Sequence, residues 1–320
     1  MMVFGYHLAC EEYEPKELVR QAVRAEAAGF DRLWISDHFH PWNEQQGQSP
    51  FVWSVIGALS QAIDIPVTTA VTCPIMRIHP VILAHAAATS SVLHEGRFVL
   101  GLGTGEALNE HVTGCRWPPS AVRREMLEEA VFVIRELLTG RQINFHGKHF
   151  TVENARIYTV PEEPTPLYIS GFGPHSARLA GRIGDGFQCT TPERELLDEF
   201  RDGGGAGKPT QAGFKVCHAP TLDAGVELAH RIWPNEHLPG ELAQVLPTPA
   251  HFEQACTLVP RSTVAESVPC GPDAKPFVDR IQDYIGAGFD EVYVQQVGPD
   301  QDAFFDFWEQ QVAPAFTGGR

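Results

Sequence analysis

Short apolar runs separated by amphipathic segments constrain this chain most. VFGYHLA (3–9), FDRLWIS (30–36), IPVTTAVTCP (65–74) and GRFVLGLG (96–103) are each followed by a stretch with helical spacing or helix-forming composition. The runs are nearly continuous in apolar character and do not alternate, which is the pattern of strands covered on both faces by crossover helices. Pro15 opens the first helix in a first-turn position where its missing N–H costs nothing, Leu18, Ala22 and Ala25 repeat at helical spacing, and Gly29 stops it. TPLYISG (165–171), DGFQCTT (185–191), GFKVCHAP (213–220) and FDEVYVQQVG (289–298) supply four more strands. Eight strands alternating mostly with helices predict a (β/α)8 TIM barrel, with an open doubly wound sheet as the alternative. The barrel is read as one domain over residues 1–320, with an insertion at about 140–164, carrying hairpin potential around Gly147, and a proline-rich one at about 233–271. The 320 residues and 43% hydrophobic content are compatible with one large core.

Charge narrows the partners. Lys and Arg number 24 against 40 Asp and Glu, a formal charge of −16 that argues against an extended phosphate-backbone surface and hence against nucleic acid. Seven scattered cysteines with no C-x-x-C spacing favour reduced thiols. No segment offers a long uncharged span, so a soluble cytoplasmic protein away from membranes is expected.

In a barrel, residues just after the strand ends share one mouth. The second strand would bring Asp37, His38 and Trp42 there, the third Thr72 and Cys73, the fourth Thr104, Gly105, Glu106 and Asn109. An imidazole can take a hydroxyl proton, a carboxyl group can carry out a second transfer, and an indole offers a flat wall. Asp37 can orient His38 or meet a ligand edge, and His38 has a hydrogen-bonded structural role as its competitor. GLGTGEALNE lacks the third glycine of a dinucleotide fingerprint and the lysine of a Walker loop. GFGPHSARLAG, where Gly171, Phe172, Gly173 and Pro174 lead into a helix, is the better anion candidate. His38 and His40, with His79 and His85, lack the completion of a hydrolase metal centre, so no metal is assigned. No G-x-S-x-G turn appears for serine hydrolysis.

FGYHLACEEYEP, ISDHFHPWNEQQG, TTAVTCP, GLGTGEALNE, SGFGPHSARLAGRIGDGFQCTT and DRIQDYIGAGFDEVYV follow one another through most of the chain. In that order they resemble the F420-dependent glucose-6-phosphate dehydrogenase group of the bacterial luciferase-like superfamily. The resemblance implies a TIM barrel, commonly a homodimer, that binds the deazaflavin coenzyme F420 at the C-terminal strand ends. It implies His38 as base for oxidation of an alcohol or sugar, Glu106 as the acid serving deazaflavin reduction, Trp42 as a brace at the reacting centre, and Asp37 as a cofactor contact or pocket organiser. It further implies a non-prolyl cis bulge at Ala70–Val71. Thr72, Thr104, Gly105 and the turn Gly171, Phe172, Gly173 become cofactor neighbours, and Thr190 and Thr191 phosphate contacts.

Sugar-phosphate specificity does not follow. Family members bind the substrate phosphate with lysines and an arginine, whereas no lysine occurs in residues 192–201 or 251–265, with Arg201 or Arg261 as candidate replacements. The expectation is an F420-dependent alcohol or sugar dehydrogenase. An FMN-dependent luciferase-like monooxygenase and a nonenzymatic F420-binding protein are the alternatives.

Overall fold

The computed structural model describes residues 2–317. Eight parallel strands close a barrel: β1 (Val3–Leu8), β2 (Arg32–Ile35), β3 (Val67–Thr69), β4 (Phe98–Leu102), β7 (Leu167–Ser170), β8 (Gly186–Cys189), β9 (Thr210–His218) and β11 (Glu291–Gln296). Closure is direct, because β1 pairs with both β2 and β11 while β8 pairs with β9. Two of the three strands missing from this series are β5 (Ile143–His146) and β6 (Thr151–Ala155), an antiparallel hairpin apart from the barrel. It turns at Gly147, whose amide donates to the Phe150 carbonyl at 2.9 Å. A two-residue strand β10 (Cys270–Gly271) adds to the outer end of β9.

Strand edges differ from expectation in two places. The seventh barrel strand begins at Thr210 instead of 213, because the Thr210 amide and hydroxyl both bind Asp290 Oδ2, at 2.9 and 2.8 Å, anchoring its start beside β11. The third is regular only over Val67–Thr69, and the Ala70–Val71 peptide that follows is cis. Thr72 rejoins by a single parallel bridge to Leu102.

Helices cover the outer faces. Pro276, internal to the last long amphipathic segment by sequence, falls in the first turn of Ala274–Ala287, where no intrahelical N–H bond is lost. The glycine run Arg201–Gly205 forms a wide turn packed on the helix Pro174–Ile183. A Cβ at Gly181 would stand 2.1 Å from the Phe200 carbonyl and one at Gly203 2.3 Å from that of Arg178, so bare backbone on both sides permits the contact. Residues 233–271 form short helices at Leu242–Val245, Pro249–Cys256 and Arg261–Ser267, with a 3-10 turn at Pro234–His237. No helix among the described residues is long and apolar enough to cross a membrane.

Inside the barrel, Trp34 and Tyr293 stack with centroids 4.3 Å apart. Gln211 ties four neighbours together: its Oε1 accepts from Trp34 Nε1 (2.9 Å) and Gln188 Nε2 (3.0 Å), and its Nε2 meets Glu291 Oε2 (2.8 Å) and Tyr293 Oη (3.0 Å). This polar plug fills the lumen where a barrel of this type more often holds branched aliphatic side chains.

Candidate active site

The loops after β1, β2 and β4 meet above the lumen. His38, one tenth exposed at its side chain, places Nε2 3.3 Å from Glu11 Oε1. Glu11 belongs to the acidic pair that follows β1 after two intervening residues, and its Oε2 accepts from the Ser36 hydroxyl at 2.5 Å. Burial pushes the Glu11 carboxyl up, but the facing His38 ring and the Ser36 hydroxyl outweigh burial and hold it below the usual range. The other ring nitrogen, Nδ1, lies 3.1 Å from the His40 carbonyl and 3.1 Å from Asn109 Nδ2. Asn109 Nδ2 also reaches Glu106 Oε2 at 3.4 Å. One amide thus joins the imidazole and the carboxyl group singled out by sequence.

Trp42 stands beside His38, ring centroids 4.9 Å apart, and is backed edge-on by Phe252 at 5.0 Å. Phe252 lies on the helix Pro249–Cys256, so residues 233–271 reach the same wall. A neighbouring residue of that segment, Trp233, donates its indole N–H to Glu12, which also accepts from the Gly298 amide at 3.0 Å. Burial, only partly offset by those two donors, raises the Glu12 carboxyl to about 7.

Asp37 does not orient His38. Its Oδ1 takes Arg77 Nη2 at 2.8 Å, and Arg77 Nε stands 3.5 Å from Glu110 Oε1. Glu110 is fully buried, and that burial outweighs the Arg77 amide and guanidinium, raising its carboxyl to about 7. The second Asp37 oxygen, Oδ2, is buried without a hydrogen-bond partner, and so are the Thr72 and Thr191 hydroxyl oxygens.

The remaining residues fall on neighbouring strand ends. Ala70 donates its amide to the Ile35 carbonyl at 2.8 Å, and a Cβ at Gly103 would meet Val71 Cγ2 at 2.6 Å. Thr104 and Gly105 lead from β4 to Glu106; Gly105 has φ +68°, and a Cβ there would lie 2.5 Å from Cys73 Sγ. Gly171 and Gly173 precede the helix Pro174–Ile183, whose N-terminus has no side-chain cap. The Phe172 side chain is exposed, and so is Thr190, whose carbonyl accepts from Tyr284 at 2.8 Å. His40 binds the Leu108 carbonyl through Nδ1 (3.0 Å), His79 caps the helix Pro80–Leu93, and His85 is exposed.

Sequence reasoning missed Glu11, Arg77 and Phe252. Glu11 carried a legible signal, an acidic pair closely following a barrel strand. Arg77 and Phe252 carried none, since only the folded loops bring them in.

A parallel barrel with imidazole, indole and carboxyl groups at its C-terminal mouth is a luciferase-like architecture, and the luciferase-like monooxygenase family model matches residues 2–291. The chain belongs to the F420-dependent glucose-6-phosphate dehydrogenase family within that superfamily. It is 34% identical to the F420-dependent glucose-6-phosphate dehydrogenase of Microbacterium testaceum, covering 97% of this chain and 96% of that one. The solved structure of an F420-dependent secondary alcohol dehydrogenase in complex with an F420-acetone adduct superposes with TM-score 0.90 at 32% identity, covering 98% of each chain. The F420-dependent tetrahydromethanopterin reductase of Methanopyrus kandleri shares the fold, with TM-score 0.79 at 21% identity, covering 98% of this chain and 99% of that one.

Proposed function

We propose that the protein is an F420-dependent dehydrogenase that oxidises an uncharged alcohol. The observation that carries this reading is the His38, Asn109, Glu106 string, which sets a proton acceptor and a carboxyl group in one mouth. The cofactor fits the residues present. Asp37 Oδ2 and the Thr72 and Thr191 hydroxyls are buried polar atoms without partners, as groups reserved for a ligand would be. Gly105 lets the loop after β4 pack against buried Cys73 and Glu110 where a Cβ could not stand, and the uncapped N-terminus of Pro174–Ile183 offers amides to a phosphate.

F420, when bound, supplies the hydride acceptor that no side chain can provide. His38 takes the proton of the substrate hydroxyl, and Glu11, ionised and 3.3 Å from Nε2, stabilises the resulting imidazolium. Glu106 holds the proton delivered on the cofactor side. Trp42, braced by Phe252, walls the carbinol and keeps water from the proton acceptor. Asp37, Thr72, Thr104, Gly105 and the backbone at Ala70 and Val71 would hold the cofactor ring, and Gly171, Phe172, Gly173, Thr190 and Thr191 would receive its phosphate.

The pairing of three cations supports a neutral substrate, whereas Arg194 donates to the Gly286 carbonyl at 3.2 Å and has no carboxylate partner among the described residues. Arg201 pairs with Asp198 at 3.2 Å and Arg261 with Asp223 at 2.6 Å. Lys215 pairs with Glu236 and lies 3.9 Å over the Trp233 ring. A phosphate would have to displace a carboxylate from each of these cations. The chain is taken to act as a cytoplasmic homodimer in one barrel domain with the two insertions, like the group it resembles.

The test is an anaerobic panel with oxidised F420, presenting secondary alcohols, unphosphorylated sugars and phosphorylated sugars. Reduction by a neutral alcohol or sugar supports the reading. Reduction by phosphorylated sugars alone removes the neutral-substrate part, and oxygen consumption dependent on FMN replaces the whole with the monooxygenase alternative. Tight F420 binding without turnover on any class points to a binding protein.

A further inference from the structure

Asn109 deepens the reading above and rests on it. Its side chain is buried, on the short helix Ala107–Glu110. Oδ1 accepts from the Phe39 amide at 2.9 Å and the His40 amide at 3.3 Å. Two backbone donors on one atom fix which end of the amide is oxygen, leaving Nδ2 able only to donate. Its two hydrogens have two acceptors to reach, His38 Nδ1 at 3.1 Å and Glu106 Oε2 at 3.4 Å.

His38 Nδ1 therefore stands between opposed demands. Asn109 offers a donor and wants a lone pair there, whereas the His40 carbonyl, also at 3.1 Å, wants an N–H. At the far side of the ring, the Glu11 carboxylate wants an N–H on Nε2. With the ring neutral, a proton on Nε2 serves Glu11 and a bare Nδ1 serves Asn109. Once Nδ1 is protonated it donates to the His40 carbonyl and repels the Asn109 amide, whose remaining acceptor is Glu106.

We propose that Asn109 is a positioning residue that sets the tautomer of His38, and that it gives up its His38 contact while keeping the one to Glu106 when Nδ1 gains a proton or accepts a substrate hydroxyl. The balance is one proton gained at His38 and one released by Glu106, whose carboxylate form the retained Asn109 donor stabilises; no heavy-atom bond changes. The proton acceptor for the alcohol and the proton donor for the cofactor are thereby linked through one amide. The other charged groups facing the ring do not duplicate this role. Glu11 binds Nε2, Asp37 Oδ1 is engaged by Arg77, and Lys215 on β9 is paired with Glu236. His7 is held neutral by burial, which lowers it to about 3.

The test uses the full chain without cofactor, labelled with 15N-histidine, at a pH where the His38 ring is neutral. Long-range 1H–15N spectra should show a bare Nδ1 and a protonated Nε2. Asn109→Asp keeps an acceptor for the Phe39 and His40 amides but removes the donor, so the proton should move to Nδ1; Asn109→Leu should do the same. If the leucine variant does not fold, the aspartate variant carries the test. A His38 protonated at Nδ1 in the unaltered protein, or a tautomer unchanged in Asn109→Asp, overturns the proposal. Glu106→Gln should shift the Nδ1 resonance in the unaltered background and leave it unmoved in Asn109→Asp; an equal shift in both overturns the linkage. In turnover, Asn109→Asp should lower kcat about a hundredfold with KM little changed. Because the spectra need no cofactor, failure of F420 to bind would remove the function proposed above while leaving the tautomer result standing.

Discussion

The lumen of the barrel and its mouth are both polar, but they are finished differently. In the lumen, Gln211 uses both ends of its amide and Tyr293 and Glu291 bond to each other at 2.7 Å beside a stacked Trp34, although Gln188 Oε1, Thr68 Oγ1 and His7 Nε2 have no partner. At the mouth, Asp37 Oδ2, Thr72 Oγ1 and Thr191 Oγ1 are equally buried and have nothing to bond. A matched buried network stiffens a fold, whereas an unmatched one costs free energy until a ligand completes it. The lumen is cross-linked about Gln211, whereas the unpartnered atoms of the mouth lie at strand ends on the same side as His38 and Glu106.

The contrast breaks most readily at the mouth. His38→Ala should lower turnover by about 100- to 10,000-fold while F420 still binds, read by kcat and by a binding titration of the deazaflavin spectrum. Glu106→Gln should follow, with a loss near a hundredfold in kcat and little change in cofactor affinity, since an acceptor remains for Asn109. In both cases the lumen is untouched, so the melting temperature should hold. A variant that melts early instead would mean that mouth and lumen are one structural unit.

Stability separates the two regions more sharply. Arg77→Met strands the Asp37 and Glu110 carboxyl groups in the interior and should cost about 3–5 kcal/mol, read by chemical denaturation. The buried acids also set a pH dependence. Glu12 and Glu110 have folded values near 7, above the ordinary carboxyl range, so the folded state binds more protons than the unfolded state between that range and 7. Stability should be greatest below about pH 4.5 as far as these two groups contribute, and should fall as pH rises through 7. Glu110→Gln should flatten that slope, and a melting temperature that rises over the same interval would contradict it. The smallest effect is expected from Gly105→Ala, which puts a methyl group against Cys73 at a positive φ and should weaken F420 binding several-fold.

Much of the barrel was legible because strands buried on both faces leave continuous apolar runs, and all eight runs became barrel strands. The start of β9 was not, because Thr210 is recruited by Asp290, eighty residues away in the chain. At the mouth, residues next to strand ends were readable as neighbours: His38, Trp42, Glu106 and Asn109 follow β2 and β4 closely. Asp37 shows the boundary of that method. Its place in the sequence beside His38 suggested either an orienting carboxylate or a ligand contact; Glu11 from the loop after β1 faces the ring, and Asp37 takes Arg77 from the loop after β3. Which side chain meets which depends on loop paths that local spacing does not encode.

The most direct measurement is anaerobic reduction of F420 by purified protein with a neutral secondary alcohol, followed through loss of the oxidised deazaflavin absorbance. A saturable, protein-dependent reduction that disappears in His38→Ala is the expected result. Full reduction rates in His38→Ala, or no reduction by any neutral alcohol or sugar while FMN supports oxygen consumption, would contradict the mouth as described.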